Sequence, residues 1–184
     1  MAQLEITVHA AACLPKILLL NILKHCKISL PQSIGKRNRI YVGGKGSRFK
    51  MGKRCILRDN VEIRIEGGNL TIGEKCFVNR NTTITCIEEI RIGSGTQIAN
   101  NVTIVDHDHN YRNANNAPLI SSKISIGENV WIGANCVILR GAIIGDGAVI
   151  AAGSVIKGTV DKDILLYQQR ENKLTVIKRG TNNE

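Results

Sequence analysis

The hydrophobic pattern between residues 126 and 161 repeats every six residues. Isoleucine opens six consecutive hexads, at Ile126, Ile132, Ile138, Ile144, Ile150 and Ile156. The fifth position of each hexad is small or β-branched: Val130, Cys136, Ala142, Ala148, Ser154 and Val160. An α-helix repeats about every 3.6 residues, and a single long strand would not contain glycine-rich turns at fixed intervals. The pattern therefore predicts short strands separated by tight corners, each with one aliphatic side chain pointing inward.

Hexads of this kind are typical of a parallel β-helix, in which stacked coils bury a common core. The pattern extends towards the N-terminus in shorter blocks, with first positions at Ile34, Ile40, Cys55, Val61, Ile72, Val78, Ile84, Ile92, Ile98 and Ile104. The predicted β-helix covers residues 34–162, and if three hexads form one coil, residues 34–160, apart from a loop described next, make about six coils. The gap between Ile104 and Ile126 is too long for a corner, so residues 106–121 are predicted to leave the coil as a loop.

Two segments lie outside the repeat. In residues 1–33 the apolar run Ile17 to Leu20 is too short to span a bilayer. This segment is predicted to be a helical cap or, alternatively, a membrane-surface anchor through residues 14–30, which Lys16, Lys24 and Lys27 would favour. Residues 163–184 are predicted to form a closing strand, with alternation at Leu174 and Val176, followed by a disordered tail from Gly180.

The net charge of +10 over 184 residues is unevenly distributed. Between residues 36 and 58 there are nine basic residues and no acidic one: Lys36, Arg37, Arg39, Lys45, Arg48, Lys50, Lys53, Arg54 and Arg58. They form either a solvated rim or a surface for an anionic partner, such as an acidic polysaccharide or lipid. Nucleic acid is not expected, because only Tyr41 and Phe49 could stack on bases there.

The six cysteines show neither a C-x-x-C pair nor zinc-finger spacing. Cys55 occupies a first hexad position, and Cys76 and Cys136 occupy fifth positions, where small buried residues belong. We expect them to fill the core as free thiols in a reducing compartment, which favours a cytoplasmic location.

The segment Asp106-His107-Asp108-His109 is the densest cluster of titratable groups. It fits three interpretations: a hydrated turn, a metal site, or a general base. A metal site would have two histidine ligands and no evident third. A histidine near its ordinary pKa can take a proton from a hydroxyl, and a neighbouring carboxylate can fix its tautomer. Trp131, at an outward hexad position, suggests a subunit interface, a pocket wall, or both.

These features together resemble the hexapeptide-repeat acetyltransferases. The resemblance is carried by the registered hexads, the histidine-containing loop, and the segments Asn129–Asn135 and Gly145–Val155. It implies a left-handed parallel β-helix that assembles as a homotrimer and uses acetyl-CoA without a metal. Within the family, Asp106 to Asn110 with the basic N-terminal coils is most similar to O-acetyltransferases of capsules and polysialic acid.

The resemblance also implies roles for individual residues. His107 would be the catalytic base and Trp131 part of the site, while Ala134, Ala152, Lys157 and Gly158 would line the acetyl-CoA groove. A proline-containing segment common near the adenine in the family is replaced here by residues 165–169, so the adenine contacts are not assigned.

The expected function is O-acetylation of a capsular sugar, with polysialic acid as the favoured acceptor. The enzyme would lie in the cytoplasm or at the inner face of the membrane, and the acceptor would approach along Arg58, Arg64, Arg80 and Lys123. The alternatives are the same chemistry on another sugar or a xenobiotic, a metal enzyme similar to γ-carbonic anhydrase, and a non-catalytic binding solenoid.

Overall fold

The chain forms a parallel β-helix with a triangular arrangement of three sheets, here called A, B and C. The computed structural model describes residues 14–15, 17–19, 21–22, 26–111 and 118–168. In that part of the chain, 20 of the 22 strands make six coils of three strands and a seventh coil of two, and the remaining two strands form a separate ribbon. Each coil passes through A, B and C in turn, and we call the turns between sheets the AB, BC and CA corners.

The sheets are built from short strands stacked in parallel. Sheet A contains β1 (Cys26–Ile28), β4 (Arg48–Met51), β7 (Asn69–Ile72), β10 (Glu89–Ile92), β15 (Ile124–Ile126), β18 (Ile143–Ile144) and β21 (Thr159–Val160). Sheet B contains β2 (Ser33–Ile34), β5 (Ile56–Leu57), β8 (Phe77–Val78), β11 (Gln97–Ile98), β16 (Trp131–Ile132), β19 (Val149–Ile150) and β22 (Leu165–Leu166). Sheet C contains β3 (Arg39–Gly43), β6 (Glu62–Glu66), β9 (Thr83–Cys86), β12 (Thr103–Val105), β17 (Val137–Leu139) and β20 (Val155–Ile156).

The core is the column of inward side chains that the hexads predict. The six isoleucines at first positions of residues 126–161 are all buried, as are the six residues at the fifth positions. Cys55, Cys76 and Cys136 are buried free thiols, which confirms their role as core fillers. Burying a Val, Leu or Ile side chain contributes about 1.5–3 kcal/mol, so this column is the main source of stability.

The BC corners are held by a ladder of asparagines. Asn60, Asn81, Asn101 and Asn135 have left-handed backbones with φ between 57° and 59°. Asparagine adopts this conformation more readily than other residues with a side chain. The side-chain amides donate from each residue to the next, at 2.8 Å, 3.1 Å and 3.1 Å. The ladder aligns the corners of four successive coils on one edge.

At each end of the β-helix, a side-chain amide is hydrogen-bonded to the backbone of a terminal strand. Residues 14–15, 17–19 and 21–22 are helical, and Ile17 is fully buried in the core. The Asn21 amide donates to the Ile28 carbonyl at 3.0 Å and accepts from the Ile28 N–H at 2.9 Å. At the other end, the Gln168 amide makes the same pair of bonds with Val155, at 2.8 Å and 3.0 Å.

The solenoid is longer than the hexads indicate. It begins at β1 inside the predicted cap segment 1–33, and it continues to β22 beyond residue 162. The strand expected through Leu174 and Val176 and the tail from Gly180 lie outside the described residues. Within the described residues, no helix has the length and hydropathy needed to cross a membrane.

The predicted loop leaves the solenoid at the CA corner of the fourth coil. Its base is a two-stranded antiparallel ribbon of β13 (His107–His109) and β14 (Leu119–Ser121). The predicted bounds 106–121 need one correction. Asp106 does not protrude but is fully buried in the coil, immediately after β12.

Candidate functional site

The buried Asp106 carboxylate organises the base of the ribbon. It accepts hydrogen bonds from the backbone N–H groups of Ile87, at 3.0 Å, and Glu88, at 2.8 Å, in the coil below. Its backbone carbonyl accepts from the Ser122 N–H at 2.9 Å, where the chain returns from the ribbon. Hydrogen bonds of this kind make burial of a carboxylate tolerable, so Asp106 is fixed in position by two coils.

The His107 ring is oriented by this carboxylate. Its Nδ1 lies 3.0 Å from Asp106 Oδ1, and the side chain is 18% exposed. A carboxylate accepts hydrogen bonds, so Nδ1 carries the proton and Nε2 is left with a free lone pair. The arrangement presents a basic nitrogen at the protein surface in a fixed orientation, which is what a general base requires.

A second contact anchors the ribbon to the next coil. The Arg140 guanidinium donates from Nε to Asp108 Oδ2 at 2.8 Å, and the Arg140 side chain is 22% exposed. The Gly141 N–H donates to the Ser122 carbonyl at 3.2 Å. His109 is exposed and pairs with Leu119 across the ribbon. Of the two loop histidines, His107 is the one that, among the described residues, contacts a buried carboxylate at hydrogen-bond distance.

Asp106 was not singled out from the sequence as a site residue, although a signal was present. Ile104 points inward, and strand alternation brings residue 106 inward again. Val105 pairs with Thr85, so Asp106 follows the register of the buried Cys86. An aspartate at an inward position among apolar side chains is unusual, and this was the signal in the sequence. Burial and the nearby Asp106 charge raise the pKa of the Cys86 thiol.

Trp131 lies on sheet B, away from the CA corner that carries His107. Its side chain is 58% exposed. It belongs to an outward column of paired residues that is mostly apolar: Ile56, Phe77, Gln97, Trp131, Val149 and Leu165. The strand order therefore places His107 and Trp131 on different parts of the triangular prism.

The predicted acetyl-CoA residues form two pairs at opposite ends of β20. Ala134 and Ala152 are stacked at the BC corner, where the Gly153 N–H donates to the Ala134 carbonyl at 2.8 Å. A side chain at Gly133 would come within 2.6 Å of the Ala152 nitrogen, so this corner is closely packed. Lys157 and Gly158 follow β20 at the CA corner, and Gly158 has a left-handed φ of 89°.

The basic residues predicted to meet the acceptor are distributed over several faces. A groove of about 510 Å³ at the BC corner is lined by Lys36, Arg37, Asp59, Asn60, Arg80 and Asn81. An adjoining groove of about 190 Å³ contains Arg58 with Lys36 and Arg80. Arg64 instead pairs with Glu66 on sheet C, and Lys123 pairs with Glu89 at 2.8 Å near sheet A. The Lys123 ammonium lowers the pKa of Glu89, with Arg91 adding to the effect.

One column of the BC corner joins the basic groove to the alanine pair. Successive backbone bonds stack Lys36, Asp59, Arg80, Asn100 and Ala134 above one another. The column is charged in the N-terminal coils and becomes small and apolar in the C-terminal coils. Among the described residues, no group of three or more His, Cys, Asp or Glu side chains is placed to hold a metal ion.

The comparison with protein families identifies the repeats. Residues 123–158 match the family model described as bacterial transferase hexapeptide (six repeats). This stretch is a hexapeptide-repeat segment. The predicted resemblance to hexapeptide-repeat proteins is thereby confirmed for these residues. No curated protein matches the sequence.

Solved structures share the fold at low sequence identity. The N-acyltransferase AntD from Bacillus cereus, in complex with dTDP and 3-hydroxybutyryl-CoA, has a TM-score of 0.64 and 17% identity over 80% of each chain. A point mutant of AntD with dTDP-4-amino-4,6-dideoxyglucose and coenzyme A has a TM-score of 0.62 and 18% identity, over 80% of this chain and 81% of that chain. The polySia-specific acetyltransferase NeuO has a TM-score of 0.49 and 18% identity, over 81% and 79%.

Proposed function

We propose that the protein transfers an acetyl group from acetyl-CoA to a hydroxyl of a capsular sugar, with the sialic acid residues of polysialic acid as the favoured acceptor. The observation that carries this proposal is the Asp106–His107 pair, in which a buried carboxylate holds the ring with Nε2 free. A fixed imidazole base is what a hydroxyl needs to become a nucleophile at neutral pH.

The reaction follows from that geometry. His107 Nε2 takes the proton of the acceptor hydroxyl as its oxygen attacks the thioester carbonyl carbon. The resulting oxyanion is stabilised by a backbone amide or the Trp131 indole N–H, and each such donor typically contributes about 3 kcal/mol. The C–S bond then breaks, and the imidazolium returns the proton to the leaving sulfur. The Asp106 carboxylate stabilises the transient imidazolium through its contact with Nδ1.

The donor would lie along the C-terminal coils. Ala134 and Ala152 leave room at the BC corner for a pantetheine chain close to the backbone, and Lys157 could pair with a CoA phosphate. AntD, which shares the fold, has been solved with 3-hydroxybutyryl-CoA, a CoA thioester. We take this as support for a CoA donor and treat the thioester as a substrate.

The acceptor would approach along the same edge. The groove lined by Lys36, Arg37 and Arg80 lies in the column that ends at Ala134. A polymer with one carboxylate per sugar would find several cations there. A nucleotide-activated amino sugar, as bound by AntD, would also fit a cationic groove and is the second candidate acceptor.

A homotrimer is part of this proposal. His107 and Trp131 lie on different parts of one chain, so a site that contains both requires a second copy. The mostly apolar column on sheet B that includes Trp131 is a suitable contact surface, because exposed apolar strips of this kind mark interfaces. The proposed site therefore combines the ribbon of one subunit with sheet B of its neighbour.

The test is release of CoA thiol from acetyl-CoA with four separate additions: polysialic acid, a neutral sugar, a dTDP-linked amino sugar, and no acceptor. Release with polysialic acid alone supports the proposal. Release with the amino sugar alone supports the second candidate acceptor. Release with the neutral sugar would show that the acceptor need not be a polyanion. No release above the acceptor-free rate in any mixture would contradict acyl transfer to these acceptor classes.

A variant ties the activity to the site. The His107→Ala protein should lose about 10²–10⁴-fold in turnover, which is the usual contribution of general base catalysis. Its affinity for acetyl-CoA should stay within about twofold, since ordinary surface substitutions cost at most about 0.5 kcal/mol. His109→Ala is the matched control because its ring is exposed on the same ribbon. Normal turnover in the His107 variant would contradict the mechanism.

A further inference from the structure

The N-terminal end of the solenoid exposes an apolar helix face. Ile17 is buried in the core, whereas Leu18, Leu19 and Ile22 are 49%, 56% and 78% exposed. Positions 18 and 22 lie on the same side of a helix, one turn apart, and position 19 lies beside them. Large apolar side chains grouped in this way mark a contact surface more often than a bare surface.

A strip of cations adjoins this helix on sheet A. Lys27 and Lys50 are paired in register on β1 and β4, and Arg48 lies at the start of β4. Together with Asn21 and Cys26 they line a groove of about 470 Å³. Among the described residues, none of these three cations makes an ion pair with a carboxylate.

Asn21 connects the two features. Its side-chain amide donates to the Ile28 carbonyl and accepts from the Ile28 N–H, and the same side chain lines the basic groove. The helix is thereby fixed next to Lys27 and Lys50 instead of being free to reorient. We name the combined area the end surface, made of Leu18, Leu19, Ile22, Lys27, Arg48 and Lys50.

We propose that the end surface docks the protein on a membrane that contains anionic phospholipids. The three apolar side chains would enter the headgroup boundary, and the three cations would face the lipid phosphates. An apolar face alone would fit a second copy of the chain equally well. The adjoining cations without carboxylate partners favour a negatively charged surface, and apolar and basic side chains side by side are the features of interfacial helices.

Docking and spanning are different modes of attachment. Attachment through the end surface would be peripheral and reversible, because its three apolar side chains would reach only the headgroup boundary. Each lysine or arginine near an anionic surface contributes about a fivefold factor to binding, and the effect weakens with salt over a Debye length of about 10 Å at 0.1 M. Lys16 and Lys24 lie outside the described residues.

The experiment is co-sedimentation of the full chain with vesicles of phosphatidylcholine alone or mixed with phosphatidylserine. We expect binding to the mixed vesicles, reduced by salt. The double variant Leu19→Asp with Ile22→Asp should abolish it, and Lys27→Gln with Lys50→Gln should weaken it by about 25-fold. The control, Lys75→Gln with Lys162→Gln, removes the same charge from two exposed corners elsewhere and should bind as the wild type does.

Two results would overturn the proposal. One is failure of the wild type to bind mixed vesicles, and the other is undiminished binding by the aspartate variant. Light scattering of the same proteins distinguishes the competing occupant. If the aspartate substitutions lower the molar mass while vesicle binding is absent in the wild type, the helix face is a contact between copies. All six substituted side chains are exposed, so each variant should fold, and its circular dichroism spectrum checks this.

Discussion

The Asp106 carboxylate lies 3.0 Å from Nδ1 of His107, and the aspartate is fully buried while the histidine reaches the surface. The pair is built from adjacent residues because the chain leaves the coil between them. Asp106 keeps the register of the strand, and His107 starts the ribbon. A buried acceptor and an exposed base are thus linked by one peptide bond.

Asp106→Asn tests this pair. The amide would still accept a hydrogen bond through one oxygen but would favour the wrong histidine tautomer. We expect turnover to fall by about 10²–10⁴-fold, with a stability loss of about 1–3 kcal/mol from the backbone N–H groups that lose a charged acceptor. Steady-state kinetics and urea unfolding measure the two effects. The control is Asp108→Asn on the exposed side of the ribbon, and equal turnover in both variants would refute the role of Asp106.

Ala152→Phe tests the donor site. A ring at this exposed corner would occupy the space proposed for pantetheine, so the KM for acetyl-CoA should rise by at least about tenfold, which corresponds to about 1.4 kcal/mol. Lys162→Phe places the same ring at an exposed AB corner and should leave the KM unchanged. An unchanged KM in the Ala152 variant would show that the donor lies elsewhere.

The basic groove at the BC corner predicts salt-sensitive use of a polyanionic acceptor. Exposed charges are screened over about 10 Å at 0.1 M salt, so the rate at low polysialic acid concentration should fall as salt is added. Arg80→Gln combined with Lys36→Gln should lower that rate and flatten its salt dependence. Arg54→Gln with Lys75→Gln, at an AB corner, is the matched control. The same salt dependence in the wild type and in both variants would show that the acceptor does not bind in this groove.

The asparagine ladder predicts unequal effects of two small substitutions. Asn101→Ala must keep a φ of 57° with a Cβ, which costs about 1–2 kcal/mol. Asn101→Gly loses the same exposed side-chain bonds but adopts this backbone freely. Urea unfolding should therefore find the alanine variant less stable than the glycine variant. Equal stability would mean that the corner relaxes and that the backbone conformation is not a constraint.

Two of the buried cysteines, Cys86 and Cys136, are expected to react slowly in the native state. Burial raises the thiol pKa of Cys86 and of Cys136, and for Cys86 the Asp106 charge adds to the rise. A raised thiol pKa leaves less thiolate at neutral pH, and thiolate is the reactive form. Iodoacetamide should leave both residues unmodified in the folded protein and modify them in urea, as measured by peptide mass spectrometry. Rapid native-state labelling of Cys86 would contradict this account.

The interior of the solenoid was predictable because its period is strict. The isoleucines from Ile126 to Ile156 mark every strand of two coils, and all of them are buried as expected. The two ends were not predictable in the same way. The strand at Cys26–Ile28 and the strand at Leu165–Leu166 have no run of hexads around them, and only their pairing with β4 and β19 identifies them.

The chemistry of the site was predictable in part. The histidine-containing loop was evident, but Asp106 was assigned to the loop because polar residues surround it in the sequence. Its position depends on the phase of the preceding strand, which places it inward. The separation of His107 and Trp131 was also hidden, since it depends on which corner each residue occupies as the chain turns around the prism.

The hydrogen bonds that the Asn21 and Gln168 side chains make with the terminal strands have a consequence for assembly. The terminal strands of a β-helix have backbone N–H and C=O groups without a neighbouring strand, and another chain can pair with them and extend the sheet. Asn21 occupies the donor and acceptor of Ile28, and Gln168 occupies those of Val155, so one strand at each end is closed to a newcomer. The side-chain carboxamides of Asn21 and Gln168 thus oppose end-to-end association of β-helices into fibres.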